Sequence, residues 1–455
     1  MAATTAAKAL KVIKQSDTEF EESWRKICDR RAAANAALFE EVAERIEKIR
    51  VGGDRALIAA IEQHDGVELD RVEVTPAEWD LGCESVPSGD RAAIGKAAMR
   101  IREFHRKRIP SSWEMREEGG GYMGQRVRPL ARVGVFVCGA ERQNPSSVIM
   151  NTTPASVVEV PEIVLATPAD ESGTVPPEIL MAARVSGVHR VFKMGGAHAL
   201  AALAHGTVSV PRVDKIVGSG GADVAAAKQQ LYGVISVAAE SGGPRELCII
   251  ADKGATPSWI AADLISQAEY AEDGRILFVT HVKGLVTKVV DQLTRQLKAL
   301  GPAGKSAKKV LASGGIAIVT KKLEDSIALA NEYAPEHLVL AVDQPEIVSK
   351  LVENAGAIYM GHYTPVAVGE YLAGPNHVLP RGGTARFFSP LGVDDFLKRT
   401  SFVKFEPPKL RELGLDVIRL AEVEGNLAHG KAIDLRLQRI RRARREREAA
   451  REAEL

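Results

Sequence analysis

The sequence predicts an α/β protein: two tandem Rossmann-like open parallel-sheet domains with helical N- and C-terminal segments. Three observations predict it. From about residue 130, short apolar runs of strand length recur along the chain. Helix-like stretches, the later ones rich in alanine, separate them. The alternation then happens again after residue 241. Strands alternating with helices imply crossover units, and crossovers imply parallel sheets. A chain of 455 residues has room for roughly two to four domains and an ample core.

The elements follow in order. The first residues, MAATTAAKALKVIKQSD, lack the apolar centre of a secretory signal. Residues 17–118 read as mostly helical. EEVAERIEKIRVGGDRALIAAIEQHDG carries apolar residues at helical spacing, broken by Gly52 and Gly53. GDRAAIGKAAMRIREFHRKRIP is a second amphipathic helix, stopped before Pro110. The first strand series is RVGVFVC (132–138), EIVLAT (162–167), RVFKM (190–194) and DKIVG (214–218). The second is ELCIIAD (246–252), RILFVT (275–280), GIAIVT (315–320), HLVLAV (337–342) and GAIYM (356–360). Residues 361–405 are rich in Gly and Pro with polar residues among them, which suggests a functional loop. The chain closes in a helix whose end, RLQRIRRARREREAAREAEL, reads as solvated and ion-paired. The expected domains are a helical segment over 1–119 that contributes to the second α/β domain, α/β domains over 120–240 and 241–380, and a C-terminal loop and helical dimerisation segment over 381–455.

Composition narrows the function classes. Sixty basic and 59 acidic residues leave a formal charge of +1, which gives no electrostatic reason to expect nucleic acid or an anionic membrane as partner. No apolar run reaches transmembrane length, and a cytoplasmic location is expected. Cys28, Cys83, Cys138 and Cys248 show no CxxC spacing, which argues against a cysteine-based zinc site or a disulfide framework. Cys138 and Cys248 fall in apolar runs and are expected to be buried.

Three features bear chemistry. Glu336 and His337 stand side by side in NEYAPEHLVLAV, where a helix-like run meets a strand-like run. A carboxylate can activate water, and imidazole exchanges protons near neutral pH. An exposed polar turn is the competing reading. His377, in AGPNHVLP, sits in a loop held by Pro375 and Pro380; a purely structural role competes equally there. GGAHAL (195–200) and GSGGADVAAAKQQ (218–230) each follow a strand and open a helix, which points backbone N–H groups at an anion. Neither is a clean GxGxxG, and a tight strand-to-helix turn explains them as well.

In order along the chain, IREFHRKRIPSSW, RVRPLARVGVFVCGA, NPSSVIMNTTPASV, GGAHALAALAHGT, VDKIVGSGG, WIAADLISQAE, APEHL, AGPNHVLP, TARFFSPLGVDDFLKRTS and VIRLAEVEGNLAH resemble the histidinol dehydrogenase family. The resemblance implies a homodimer with an exchanged C-terminal segment. It also implies an NAD-dependent oxidation of a small amino alcohol, through an aldehyde, to a carboxylate. By that likeness His337 removes the hydroxyl proton and Glu336 activates water. His377, Glu370, Glu424 and His429 would touch substrate, and His429 would also reach the metal from the partner subunit. The zinc set would fall on Gln267, Glu370 and His429, and the nucleotide residues on Phe136, His198 and Gly221.

Several positions depart from the pattern. Tyr270 replaces the histidine of the family's QAEH, and Glu370 replaces the aspartate of GDY. A neutral phenol is a poor zinc ligand. Phe136, His198 and Gly221 replace a Tyr, a Gln and an Asn. Each change removes a hydrogen-bonding group worth roughly 0.5–1.5 kcal/mol net. Arg245 replaces a serine that touches substrate; it is expected either to bind substrate or to pair with Glu240 or Glu246. A guanidinium in the cleft suits an anionic substrate, as in dehydrogenases of the sulfopropanediol type, better than histidinol. Three readings therefore stand: the family activity, a paralogue oxidising a different alcohol with an altered or absent zinc site, and a non-catalytic ligand-binding relative.

Overall fold

The computed structural model describes residues 10–30, 35–118, 120–138, 144–238, 244–269 and 273–454. In chain order its strands are β1 (Lys11–Lys14), β2 (Trp113–Arg116), β3 (Gly121–Pro129), β4 (Arg132–Phe136), β5 (Glu162–Thr167), β6 (Arg190–Lys193), β7 (Lys215–Val217), β8 (Ser236–Val237), β9 (Glu246–Ala251), β10 (Arg275–Thr280), β11 (Gly315–Val319), β12 (His337–Ala341), β13 (Ala357–Met360) and β14 (Leu397–Phe405).

Two parallel sheets lie in one compact unit, residues 1–109 and 129–396. The first runs β6-β5-β4-β7-β8 and the second β1-β11-β10-β9-β12-β13. From β4 in the first and from β9 in the second, the chain starts in the middle, moves outward to one side, and then returns to the other, with the N-terminal β1 added at the edge of the second beside β11. That is the open, Rossmann-like order, with its switch points between β4 and β7 and between β9 and β12. Every residue of β9 and β12 is buried, as expected for strands covered on both faces. Alternate residues of β9 serve opposite layers. Leu247 and Ile249 pack with helices Pro257–Ala268 and Leu285–Leu300, while Cys248 and Ile250 pack with helices Phe20–Cys28 and Leu323–Tyr333.

The N-terminal segment is less uniform than its helical texture suggests. β1 adds to the second sheet beside β11, and Phe20 and Trp24 join that sheet's core. Helix Ala36–Asp65 instead puts Val42, Ile49, Leu57 and Ile61 into the core of the first sheet. Gly53 (φ 54°, ψ −140°) breaks that helix where the sequence places the glycine pair.

The second compact unit comprises residues 110–128 and 397–455. It holds a three-stranded sheet, β14-β3-β2, and helices Pro407–Val423 and Leu427–Ala453. β14 lies in a stretch read from sequence as loop. The last helix carries exposed pairs Arg442–Glu446 (2.8 Å) and Arg444–Glu448 (2.7 Å), in keeping with a solvated face. Cys248 is buried but Cys138, just past the end of β4, is exposed, which corrects the expectation for that residue.

Candidate active site

Glu336 and His337 are fully buried, which excludes the exposed-turn reading. Helix Leu323–Tyr333 ends at Ala334, which takes a left-handed conformation (φ 51°, ψ 64°) while its N–H donates to Ala330 O at 2.8 Å. An L-residue with a Cβ visits that region at a cost of about 1–2 kcal/mol, so the packing must enforce it. Pro335 follows, and Glu336–His337 then enter β12. Ala357 N–H donates to Glu336 O at 2.9 Å, and a Cβ on Gly356 would lie only 2.6 Å from that oxygen. The chain reverses sharply and is pinned from the β13 side.

From the β9 side the lock is reciprocal. Glu246 N–H donates to Glu336 Oε2 (2.9 Å), and Glu336 N–H donates to Glu246 Oε2 (3.3 Å). Two strand-opening glutamates on adjacent parallel strands thus cap each other's backbone. Each carboxylate has its own arginine. Arg381 Nε donates to Glu336 Oε1 at 2.8 Å, and a nitrogen of the buried Arg30 guanidinium lies 2.8 Å from Glu246 Oε1. Arg30 also donates to Tyr333 O and stacks on the Tyr333 ring, 3.5 Å from its centroid. Gly382 N–H completes Glu246 at 3.1 Å.

His337 faces a second carboxylate. Its Nδ1 is 3.1 Å from the Tyr359 hydroxyl, while Nε2 makes no hydrogen bond and lies 3.7 Å from Glu336 Oε1 and 3.4 Å from Glu370 Oε1. Glu370, on helix Val366–Tyr371, joins the remaining parts. Arg245 reaches its Oε1 at 3.1 Å, and His377 Nδ1 reaches its Oε2 at 3.2 Å and its carbonyl oxygen at 3.0 Å. A carbonyl oxygen only accepts, so His377 carries its proton on Nδ1. A side chain on Gly369 would strike the Tyr359 ring at 2.5 Å, so the glycine is what lets this helix approach the tyrosine that orients His337. Asn376 Nδ2 donates to Met150 O (2.7 Å) and its Oδ1 accepts from Val378 N–H (2.9 Å), which ties the His377 loop to the helix following β4. Glu336, His337, Glu370, His377 and Arg245 therefore form one cluster. Arg245 pairs with Glu370; Glu240, one of the two acceptors expected for it, lies outside the described residues.

The electrostatics follow from burial and these contacts. Burial alone would raise the Glu336 carboxyl, but Arg381, His337 and Arg245 outweigh it and hold it below its usual range. Burial also opposes ionisation of Glu370, yet the His377 hydrogen bond and charge, Arg245 and His337 keep it well below the carboxylate range. Burial lowers His337 against the pull of both glutamates, so its imidazole is neutral at neutral pH. Glu246 is pushed up to about 7, chiefly by burial, with Arg30 opposing.

The three expected nucleotide residues stand at carboxyl ends of the first sheet, where an open parallel sheet gathers ligands. Phe136 closes β4 with its side chain in the core. Gly221 is exposed and precedes helix Ala222–Leu231, which has no side-chain cap. His198 is fully buried, with Nε2 3.1 Å from Asp65 Oδ2. The turn before His198 meets an anion, but one from the protein itself. Gly195 N–H donates to Asp65 Oδ2 (2.8 Å) and Ala197 N–H to Asp223 Oδ2 (3.1 Å). In the second sheet, Asp252, Asp343 and His362 gather at the carboxyl ends of β9 and β12, opposite the Glu336–His337 end. Asp252 there accepts backbone N–H groups from Gly254 and Asp343, both at 2.8 Å.

Comparison with known proteins decides the family. A family model described as histidinol dehydrogenase matches residues 28–437. Histidinol dehydrogenase from Syntrophotalea carbinolica is 43% identical over 431 residues, covering 94% of this chain and 99% of that protein. The protein of that name from Geobacter sulfurreducens is 43% identical over 93% of this chain and 98% of its own length. The crystal structure of histidinol dehydrogenase from Elizabethkingia anophelis superposes with a TM-score of 0.89 at 30% identity, covering 95% of this chain and 99% of that one. This chain belongs to the histidinol dehydrogenase family. It is accordingly an NAD-dependent dehydrogenase, and zinc is a trait of the family.

The zinc pattern of histidinol dehydrogenases does not fit the residues of this chain. Gln267 Oε1 is buried without a hydrogen-bond partner, as a ligand atom would be. The carboxylate that should join it, Glu370, already has one oxygen on a guanidinium and the other on His377. The family's histidine is Tyr270, which lies outside the described residues. His429 and Glu424 belong to the second compact unit and are exposed there.

Sequence reasoning missed Arg30, Glu246, Tyr359 and Arg381. Glu246 carried a usable signal, since a glutamate opening a fully apolar strand run needs a partner once buried. Arg30 and Arg381 lie far from it along the chain, and nothing local to them announces the pairing.

Proposed function

We propose that this chain oxidises histidinol, a small amino alcohol, through the aldehyde to the carboxylate in two successive hydride transfers. NAD+, when bound, would supply the hydride acceptor for each. The observation that carries the reading is the burial of Glu336 and His337 side by side, with Glu370 reaching from His337 to His377.

With Nδ1–H donated to the Tyr359 oxygen, His337 Nε2 keeps a lone pair for the substrate hydroxyl proton. The imidazolium so formed lies between two carboxylates, Glu336 and Glu370, which stabilise it. Hydride then leaves the carbinol carbon and the aldehyde results. Water adds to the aldehyde with Glu336 taking its proton while the His337 imidazolium returns its own to the aldehyde oxygen, which leaves His337 neutral for the second oxidation. Glu336 then releases its proton to solvent, and Arg381 keeps that carboxylate ionised and ready. The hydrate gives its hydroxyl proton to His337 and its hydride to a second NAD+, leaving the carboxylic acid, which ionises. Nucleotide binding is assigned to the switch point of the first sheet, with Phe136, Gly221 and the uncapped helix Ala222–Leu231 at its rim and His198 behind it. His377 and Glu424 are assigned to substrate.

Arg245 first suggested an anionic alcohol. Its pairing with Glu370 accounts for its charge, and no separate observation favours that reading. We further propose a cytoplasmic homodimer in which the C-terminal unit of one chain brings Glu424 and His429 to its partner's site. No helix among the described residues is long and apolar enough to cross a membrane.

The test is turnover of histidinol with NAD+ by the purified full chain, followed by NADH and histidine formation. Active wild type and His337→Gln with kcat lower by about 10²–10⁴-fold, folded by circular dichroism, are expected. Wild-type rates in His337→Gln would remove the assigned base.

A further inference from the structure

The last helix, Leu427–Ala453, does two different things along its length. Up to Ile440 it packs on its neighbour: Leu437 is buried, and a Cβ on Gly414 of helix Pro407–Val423 would lie 3.0 Å from it. From Arg441 onward every described residue is exposed. At 1.5 Å per residue, about 20 Å of helix stands clear of its neighbour. The family model ends at residue 437, so the shared dehydrogenase chemistry does not call for this segment. Residues 438–455 carry seven arginines and four glutamates, with no lysine and no aromatic residue, in a chain whose formal charge is only +1. The whole-chain balance, which argues against nucleic acid, hides this local excess. Arg439, Arg441, Arg442, Arg444 and Arg445 fall within seven residues that hold no acid. At 3.6 residues per turn they spread round most of the helix. Several stand at i,i+3 or i,i+4 to one another, where like charges weaken a helix. Glu446 and Glu448 answer Arg442 and Arg444, at 2.8 and 2.7 Å. Arg439, Arg441 and Arg445 have no ion-pair partner among the described residues. A solvated face needs only alternating signs. A block of mutually repelling arginines suits a dense line of anions.

We propose that this helix end is a docking element for duplex DNA, held by arginine contacts to the phosphates along the major groove and without choice of base sequence. The partner follows from what the segment has and lacks. Arginine's planar fork takes two phosphate oxygens at once. A helix is about 10–12 Å across, and the major groove of B-DNA, about 12 Å wide between two phosphate walls, admits one. The deep, narrow major groove of duplex RNA does not. Single strands are gripped by stacking bases on aromatic rings, and the segment has none. A membrane-surface helix needs a large apolar face, whereas residues 441–453 offer alanine alone. A coiled coil with a second copy needs its apolar row continued, but the row Ile433, Leu437, Ile440 goes on as Arg444 and Arg447.

The test is fluorescence anisotropy of a labelled DNA duplex of about 20 bp, roughly two helical turns, titrated with the full chain. The expected Kd is about 10⁻⁴–10⁻⁶ M near physiological salt and the same for unrelated sequences. Binding should weaken by about 10²–10³-fold between roughly 50 and 200 mM salt, the slope for about five phosphate contacts. A variant combining Arg439→Gln, Arg441→Gln, Arg442→Gln, Arg444→Gln and Arg445→Gln should lose binding, with circular dichroism and thermal midpoint as in wild type. The same five positions changed to lysine should keep most of it, which separates lost charge from a lost helix. No anisotropy change at about 50 mM salt, or a glutamine variant that binds as wild type does, would overturn the proposal. Equal or tighter binding to single-stranded RNA of the same charge, to polyglutamate or to phosphatidylserine vesicles would overturn it too, and would name a different partner.

Discussion

At the scale of single residues, the site depends on carboxylates forced into the protein interior and matched there. Glu246 is the example with the clearest consequence. It touches no expected substrate, yet it caps Glu336, takes the charge of buried Arg30 and holds Gly382. Removing one partner of a buried ion pair leaves the other charge uncompensated and costs about 3–5 kcal/mol. Glu246→Ala is therefore expected to lower the urea midpoint strongly and to depress kcat through Glu336. A midpoint equal to wild type would show that Arg30 and the strand start do not rely on it.

At the scale of elements, helix Ser88–Arg106 places His105 in the interior, where neither ring nitrogen has a hydrogen-bond partner. Burial, aided by Arg108, lowers His105 to about 4 from an ordinary 6.5. The folded protein therefore keeps this imidazole neutral while the unfolded chain protonates it. Its contribution to stability is fully present above pH 6.5 and is lost as the pH falls from there to about 4. The loss is about 3 kcal/mol at most, at 1.36 kcal/mol per pH unit. His105→Leu should flatten that part of the stability profile and match or exceed wild type at pH 5. Parallel pH profiles of the two proteins, measured by urea unfolding, would contradict this.

At the scale of the whole molecule, the Glu336–His337 cluster and the pair Glu424–His429 occur in different compact units of the chain. If the C-terminal unit completes the partner's site, a chain lacking Glu424 and a chain lacking His337 are complementary. Co-expressed Glu424→Gln and His337→Gln chains should form mixed dimers with activity that neither parent shows. Mixed dimers as inactive as the parents, or a monomer by light scattering, would exclude the exchange.

The sequence by itself determined the strand series, since fully covered parallel strands must be apolar throughout and their runs stand out at 246–252 and 337–342. It determined the family as well, because ordered motifs over most of the chain survive divergence. β1, β14 and the division of the N-terminal helices between two sheets were not legible, because edge strands and half-exposed helices take their place from what they pack against. Only the tertiary structure decided that Arg245 answers Glu370, that Glu246 and Glu336 cap each other, and that His198 turns to Asp65. Each is a contact between charges or dipoles distant along the chain. Such pairing is set by where the strands bring side chains together and by the cost of burying a charge unmatched, neither of which leaves a local trace in composition or spacing.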